Sequence, residues 1–372
     1  MAGTILLSMT ASNTNHSTSL LSVDGHKTSS HSSTSRLHFT LTLFLICLSA
    51  TMLRAQTWAE KLGYPKDARV LILHVDDAGM SLDSNEGAIK AMSEGVANSV
   101  SVMMPCPWVP GFVNYLKQHP QTDAGLHLTL TSEWDWYRWG PLSGKPAVPG
   151  LVDTQGALWG SVAEVVQHAS ADEVYTEIKA QLERARGMGF EPTHIDSHMG
   201  TLFGSPDYIR QYVRLGVENK IPVMIPGGHN TAIVAELKRE GNAQAEATGK
   251  AMSDLGKTLW AAGLPVLDDL HNVSYGWKYE KYKTNYDEAA LRKEATANYI
   301  ESIKVLKPGL TMVIMHCTEP SPRFAEISAS GLTRKADLLV MTDPAFKKFL
   351  TDNKVILTTW REVAKRRAEL KN

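Results

Sequence analysis

What the chain lacks narrows the possibilities first. It carries three cysteines in 372 residues. Cys47 lies in an apolar run near the start, which leaves Cys106 and Cys317 and no Cys-x-x-Cys spacing. Two thiols make no disulfide framework, and their spacing is not one that zinc or thiol redox chemistry uses. No Gly-x-Ser-x-Gly elbow occurs, so a serine hydrolase is not supported. Gly227-Gly228 lacks the lysine and spacing of a phosphate loop. Neither sign of charge is in excess: 38 Lys+Arg face 39 Asp+Glu, a formal net charge of −1. No global field therefore recruits nucleic acid or an anionic membrane. The composition, 43% hydrophobic and 21% charged, is ordinary for a globular protein long enough to hold one large α/β domain or two smaller ones.

The N-terminal region stands apart. Residues 1–35 are rich in Ser, Thr, Asn and His and are expected to lack a fold of their own. Arg36 then precedes the apolar run Leu41-Thr42-Leu43-Phe44-Leu45-Ile46-Cys47-Leu48, followed by Ala50 and Leu53-Arg54-Ala55. That run is shorter than the ~20 residues of a comfortable membrane span. It predicts a secretory signal cleaved after Ala55, with a membrane anchor as the alternative. The expected division is a disordered leader and signal over 1–55, then one domain over 56–372, exported and without a stable membrane partner. Self-association is left open.

From residue 68, short β-rich runs alternate with helical patterns. Strands are predicted at 70–75, 99–104, 123–128, 193–196, 222–225, 264–268, 310–315 and 354–358. Helices are predicted at 84–94, 109–118, 172–187, 206–216, 232–262 (with room for a break), 286–306 and 335–350. The alternation predicts an α/β fold, a single-domain (β/α) barrel of seven or eight parallel strands. Its chemistry should gather at the carboxyl ends of the strands. Residues 131–170 interrupt the pattern with Trp134, Trp136, Trp139 and Trp159. Such a long connection suggests a tryptophan-rich lid, a platform for sugar faces, or both.

The most informative stretch is Leu71-Ile72-Leu73-His74-Val75-Asp76-Asp77-Ala78-Gly79, where an apolar strand delivers two carboxylates into a glycine turn. An unpaired acid there would cost several kcal/mol of desolvation, so a cation or a movable proton is the natural partner. Adjacent strand residues point to opposite sides unless the turn swings both into one cavity. One carboxylate could then bind a cation while the other takes a proton from water. Capping of the next helix is the purely structural alternative, although Ser81, Asp83 and Ser84 are better placed for it.

Two later segments end in the same way. Gly125-Leu126-His127-Leu128 closes one strand, and His194, Asp196 and His198 alternate along another, sharing one face. Asp, His and His at three strand ends read as a divalent-metal site suited to Zn²⁺ or a harder ion, with Asp196 or His194 orienting a liganding imidazole. A fourth strand ends in His316-Cys317-Thr318-Glu319. There His316 is either a general acid with a pKa near neutrality or a packing residue, and Glu319 a helix cap. Leu267-Asp268-Asp269 echoes the opening motif and is left as a substrate contact or a helix start.

These residues, in this order over roughly 69–360, resemble the YdjC/ChbG-type carbohydrate deacetylases, relatives of the NodB-like polysaccharide deacetylases. The match comprises Val75-Asp76-Asp77-Ala78-Gly79 with Asn85 and Gly87, Gly125-Leu126-His127-Leu128, Pro192-Thr193-His194-Ile195-Asp196-Ser197-His198, and the strand ending at His316. The resemblance implies a (β/α) barrel that removes an N-acetyl group from an amino sugar or chito-oligosaccharide using a divalent metal, Mg or Zn. On matched positions it implies that Asp77, His127 and His198 bind the metal, Asp76 is the base and His316 the acid. Ala78 stands where the family usually has Phe. Met199-Gly200 and Cys317-Thr318 replace the further histidines and the Pro-Gly usual after the two histidines. The alternatives are a metal-dependent hydrolase or isomerase acting on another bond, metal-free glycoside hydrolysis by two carboxylates, and a non-catalytic carbohydrate-binding protein on the same barrel.

Overall fold

The structure, a computed structural model, describes residues 55–272 and 274–370. The expected leader and signal over 1–55 lie outside the described residues, apart from Ala55. Among the described residues, seven parallel strands form one sheet: β1 (Arg69–Ala78), β2 (Ser99–Val102), β3 (Ala124–Leu128), β4 (Ile195–Ser197), β5 (Asp269–His271), β6 (Gly309–Met315) and β7 (Ile356–Leu357). Their order is β4-β3-β2-β1-β6-β5, with β7 beside the first half of β1. The architecture is α/β, with the parallel sheet curved into a half-barrel.

Two predicted strands turn out differently, and proline explains both. The segment 222–225 forms no strand; isolated parallel bridges join Val223 to Ile195 and, just beyond the segment, Pro226 to Leu267. Ile195 N–H donates to Pro222 O at 2.9 Å, Met224 N–H to Ile195 O at 2.9 Å, and Gly227 N–H to Leu267 O at 2.9 Å. Pro222 and Pro226 have no N–H, so the ladder cannot run on. Pro265 likewise interrupts 264–268, and the regular strand begins only at Asp269. Among the helices, Val109–Gln118 falls where the pattern puts it. The stretch 335–350 divides into Gly331–Met341 and Pro344–Asp352, because Asp343 caps a second helix that Pro344 opens.

Strand alternation sorts the core. On β1, Leu71, Leu73 and Val75 face the helices, whereas Val70 and Ile72 face inward with Leu310, Met312, Ile314, Met224 and Trp360. Farther along the same inner face come His74 and Asp76, so the interior changes from apolar to polar as the strand nears its end. The long connection is ordered by polar ties. Glu177 accepts from Leu142 N–H at 3.0 Å and Ser143 N–H at 2.9 Å, and Trp159 Nε1 donates to Gly150 O at 2.8 Å. Trp139 is buried, whereas Trp136 is 87% exposed.

Asp268 and Asp269 are framework residues. Asp268 accepts from Trp58 N–H at 2.7 Å, Ala59 N–H at 2.9 Å and Leu310 N–H at 2.8 Å, holding the helix Trp58–Lys61 on the sheet. Asp269 accepts from Ala232 N–H at 2.7 Å and Leu270 N–H at 2.9 Å. Removing the Asp268 carboxylate strands three donors at a buried position. Asp268→Ala is therefore expected to lower stability by about 3 kcal/mol or more in urea unfolding, and a change below about 1 kcal/mol would remove this framework role.

Candidate active site

The two acids at the end of β1 reach one cavity because the backbone breaks its alternation between them. Asp77 sits at φ 65°, in the left-handed region that aspartate tolerates better than most residues, and the register with β2 shifts between Val75 and Ala78. Gly79, at φ 85°, continues the turn, and a Cβ there would stand 2.6 Å from Val109 Cγ2. Asn85 Oδ1 accepts from Gly79 N–H at 2.7 Å while its Nδ2 donates to Trp108 O at 3.0 Å, pinning the turn. Ser81, as the sequence suggests, caps the following helix Leu82–Ser93.

His127 on β3 lies in direct register with Asp196 on β4, and its Nδ1 is 2.7 Å from Asp196 Oδ1. His198 follows β4 in a tight turn, with Met199 at φ 55° and Gly200 at φ 64°. Its Nε2 is 2.9 Å from Glu133 Oε1. A carboxylate can only accept, so each of these ring nitrogens carries a hydrogen, and the opposite nitrogen is the one that can ligate a cation once its own proton has left. Those opposite nitrogens, His127 Nε2 and His198 Nδ1, each stand 3.3 Å from Asp77 Oδ1. Asp77 Oδ1 is buried and has no hydrogen-bond partner. The three ligand atoms lie within 4.8 Å of one another. A buried carboxylate oxygen without a hydrogen bond, facing one nitrogen of each of two imidazoles, fits a divalent ion that displaces their protons and keeps open positions. On its other side, Arg334 Nη2 donates to Asp77 Oδ2 at 2.6 Å. Burial opposes the charge on Asp77, but Arg334 and the two histidines hold its carboxyl well below the usual range.

Asp76 has one engaged and one free oxygen. Oδ1 is 3.0 Å from His74 Nε2 and accepts from Ser101 Oγ at 3.3 Å. Oδ2 stands 3.8 Å from both His127 Nε2 and His316 Nε2. His74 is fully buried, and its Nε2 also lies 2.9 Å from Asp196 Oδ2. Burial works against its charge, but hydrogen bonds to Asp196 and Asp76 outweigh that and hold it up at about 9. His74 thus lies between two carboxylates that favour its charged form.

The alternating histidines do not share one role. His194 stacks on Trp360 with ring centroids 5.2 Å apart, and burial together with the His74 charge keeps it neutral. Its ring lies so close over Gly125 that a Cβ there would be 2.5 Å away. His74, His194 and Asp196 also fall within a cation-sized group, as do Asp76, His127 and Asp196. Both groups compete with hydrogen bonds already made, because His74 Nε2 is a donor to carboxylates and His127 Nδ1 is held by Asp196.

His316 directly follows β6 with its ring edge on Tyr275, centroids 4.3 Å apart, and its Nδ1 is unpartnered. Burial pushes it down to about 4, well under the near-neutral value the sequence suggests. Glu319 caps no helix; it pairs with Lys90 at 3.0 Å and with Lys335. Four site residues escape the sequence reading: His74, Glu133, Tyr275 and Arg334. His74 carried a usable signal, two residues ahead of Asp76 on the same strand face. Glu133 lies in a long loop and Arg334 is 257 residues from Asp77, so neither has a local signature.

A family model described as YdjC-like protein matches residues 70–352. A protein of Thermus thermophilus named carbohydrate deacetylase is 28% identical over 79% of this chain and 94% of its own length. One of the same name from Thermoanaerobacter pseudethanolicus is 24% identical over 78% of this chain and 98% of its own. A chitooligosaccharide deacetylase of Serratia marcescens is 33% identical over 35% of this chain and 49% of its own. The crystal structure of an Enterococcus faecalis protein named for cellobiose-phosphate cleavage superposes with a TM-score of 0.59 at 18% identity, covering 80% of this chain and 99% of that one, a likeness of fold.

The protonation pattern has a testable consequence for the metal-free protein. Burial also opposes the charge on His198, but Glu133 and Asp77 raise it to about 9, as His74 is raised. A histidine raised in this way contributes stability in full below its unfolded value of ~6.5 and loses it as pH rises through the folded value. The urea midpoint of chelator-treated protein is expected to fall between about pH 6.5 and 9; a level or rising midpoint would show that these imidazoles are neutral.

Proposed function

The chain belongs to the YdjC-like family, and from that premise we propose that it is a metal-dependent hydrolase removing N-acetyl groups from amino sugars or chito-oligosaccharides. The observation that carries the reading is the unpartnered Asp77 Oδ1 facing His127 Nε2 and His198 Nδ1, with the free oxygen of Asp76 beside them. The names of the relatives, carbohydrate deacetylase and chitooligosaccharide deacetylase, support the bond and the substrate class.

In this reading Asp77, His127 and His198 hold the ion. A divalent ion there supplies Lewis acidity, polarising the acetyl carbonyl and making a nearby water easier to deprotonate. Asp196 and Glu133 fix the two imidazoles in the tautomer that binds. Asp76 Oδ2 takes the proton from the attacking water; the new C–O bond forms as the carbonyl π pair moves onto oxygen. Collapse of the tetrahedral species breaks the C–N bond and releases acetate and the amine. His316 is neutral at rest, because burial holds it at about 4. The proton it delivers to the amine is then the one taken from water, passed from Asp76 Oδ2 to Nε2 across a separation that is 3.8 Å at rest.

The same reading takes the bridging segment 222–227 to bring the sheet round into a closed barrel, and the tryptophan-bearing connection to act as its lid. It also keeps export, through the segment preceding the described residues, as the route to the sugar. Acetate release from N-acetylglucosamine oligomers, with and without chelator, tests the function. Asp77→Asn is expected to lose metal and turnover together. Asp76→Asn should keep the metal while kcat falls about 10²–10⁴-fold. Metal-independent release, or full activity in both variants, would defeat the proposal; sugar binding with no acetate release would favour a carbohydrate-binding role.

A further inference from the structure

Arg334 lies on the helix Gly331–Met341 and is buried, 3% exposed. Two of its three nitrogens are committed. Nη2 donates to Asp77 Oδ2 at 2.6 Å and Nε to Ser330 Oγ at 2.7 Å. The guanidinium is flanked by Trp134 and Tyr275, whose ring centroids are 6.0 and 5.8 Å from Cζ. Nη1 is buried and has no acceptor. Balancing the charge of Asp77 requires only the Nη2 contact. A buried arginine nitrogen left without an acceptor is costly, so an oxygen must meet it: water at rest and something else during reaction. Nη1 and Nη2 share one carbon, so this spare donor stands next to the carboxylate whose other oxygen faces His127 and His198. Tyr275 also packs on His316 with ring centroids 4.3 Å apart, so one ring lies beside both the guanidinium and the imidazole.

We propose that Arg334 Nη1 is a catalytic donor that receives the acetyl oxygen as the carbonyl becomes an oxyanion. This rests on the deacetylase reading. The carbonyl oxygen carries partial charge in the bound amide and a full charge once the water oxygen has added to carbon. A fixed cationic N–H therefore stabilises the second state more than the first. The guanidinium cannot give up its proton at working pH, so it donates a hydrogen bond and remains intact as the C–N bond breaks. The two pinned nitrogens hold the fork rigid, and the flanking rings make its surroundings less polar, which strengthens a hydrogen bond made there.

Two substitutions and three measurements decide it. Arg334→Gln and Arg334→Lys should each lower kcat on N-acetylglucosamine oligomers about 10²–10³-fold, with KM changed less than about threefold. Zn²⁺ titrated into metal-free protein should bind Arg334→Gln as tightly as wild type or more tightly, because Asp77 no longer shares its charge with a guanidinium. Looser Zn²⁺ binding that tracks the lost activity would mean that Arg334 merely holds Asp77 in place, and would overturn the proposal. Acetate titrated into Zn²⁺-loaded protein should bind wild type at least tenfold more tightly than either variant. Equal acetate affinity, or none in wild type, would overturn it as well. If Arg334→Gln does not fold, Arg334→Lys keeps a cation against Asp77 and carries the same measurements. Wild type that releases no acetate would defeat the deacetylase reading, while the acetate titration would still decide the role of Arg334. Active wild type beside variants within threefold of it would defeat only the Arg334 assignment.

Discussion

Negative charge crowded into one buried cavity is the constraint to which the rest of this structure answers. Asp76, Asp77 and Asp196 are all buried, with Glu133 close by, and none could remain ionised there without compensation. The compensation is specific. His74 bridges Asp76 and Asp196, Arg334 takes one oxygen of Asp77, and His127 and His198 lie between carboxylates on both sides. His74 and Arg334 each engage one oxygen of Asp76 and Asp77, respectively, and leave the other oxygen toward the gap. What remains exposed to the gap is one oxygen of Asp76, one of Asp77 and two imidazole nitrogens. A cavity with its charges balanced on the outer side and unmatched on the inner side is prepared for a cation and for a proton to be moved.

The fold delivers this arrangement through register rather than through flexible loops. Asp76 on β1, His127 on β3 and Asp196 on β4 lie on the inner face of one parallel sheet, with β2 between the first two, so their spacing follows from strand separation and pleat. The step from an apolar to a polar interior occurs along β1 itself, between Ile72 and His74. Below that step Trp360 and His194 stack as a floor, and Gly125 provides the room for the imidazole. The polar layer therefore rests on packed rings that fix it from beneath. The long connection after β3 contributes Glu133 and Trp134, tied down by Glu177 and by its own tryptophan N–H groups. Chemistry carried on strands thus meets a loop held almost as firmly.

Much of this was legible in the chain. The β/α alternation, the helix Val109–Gln118 and the ordered acids and histidines at strand ends all leave local patterns, because period and side-chain type are written residue by residue. The two prolines at 222 and 226 are equally local, and they account for bridges appearing where a strand was expected. The pKa of His316 was not legible: a histidine at a strand end looks the same whether or not burial holds it neutral. Nor was the division among His194, Asp196 and His198, which share an alternating pattern while one stacks on Trp360, one orients His127 and one faces Asp77.

The sequence by itself determined the family, the strand-end position of Asp76, Asp77, His127, His198 and His316, and the pairing of apolar strand interiors with polar ends. Tertiary structure alone decided which oxygens and nitrogens stay free, because that depends on partners brought from distant segments: Glu133 for His198, Asp196 for His127, His74 for Asp76 and Arg334 for Asp77. A motif records which groups are present. Only packing, through the left-handed turn at Asp77 and the register of β3 on β4, sets the direction in which each one faces.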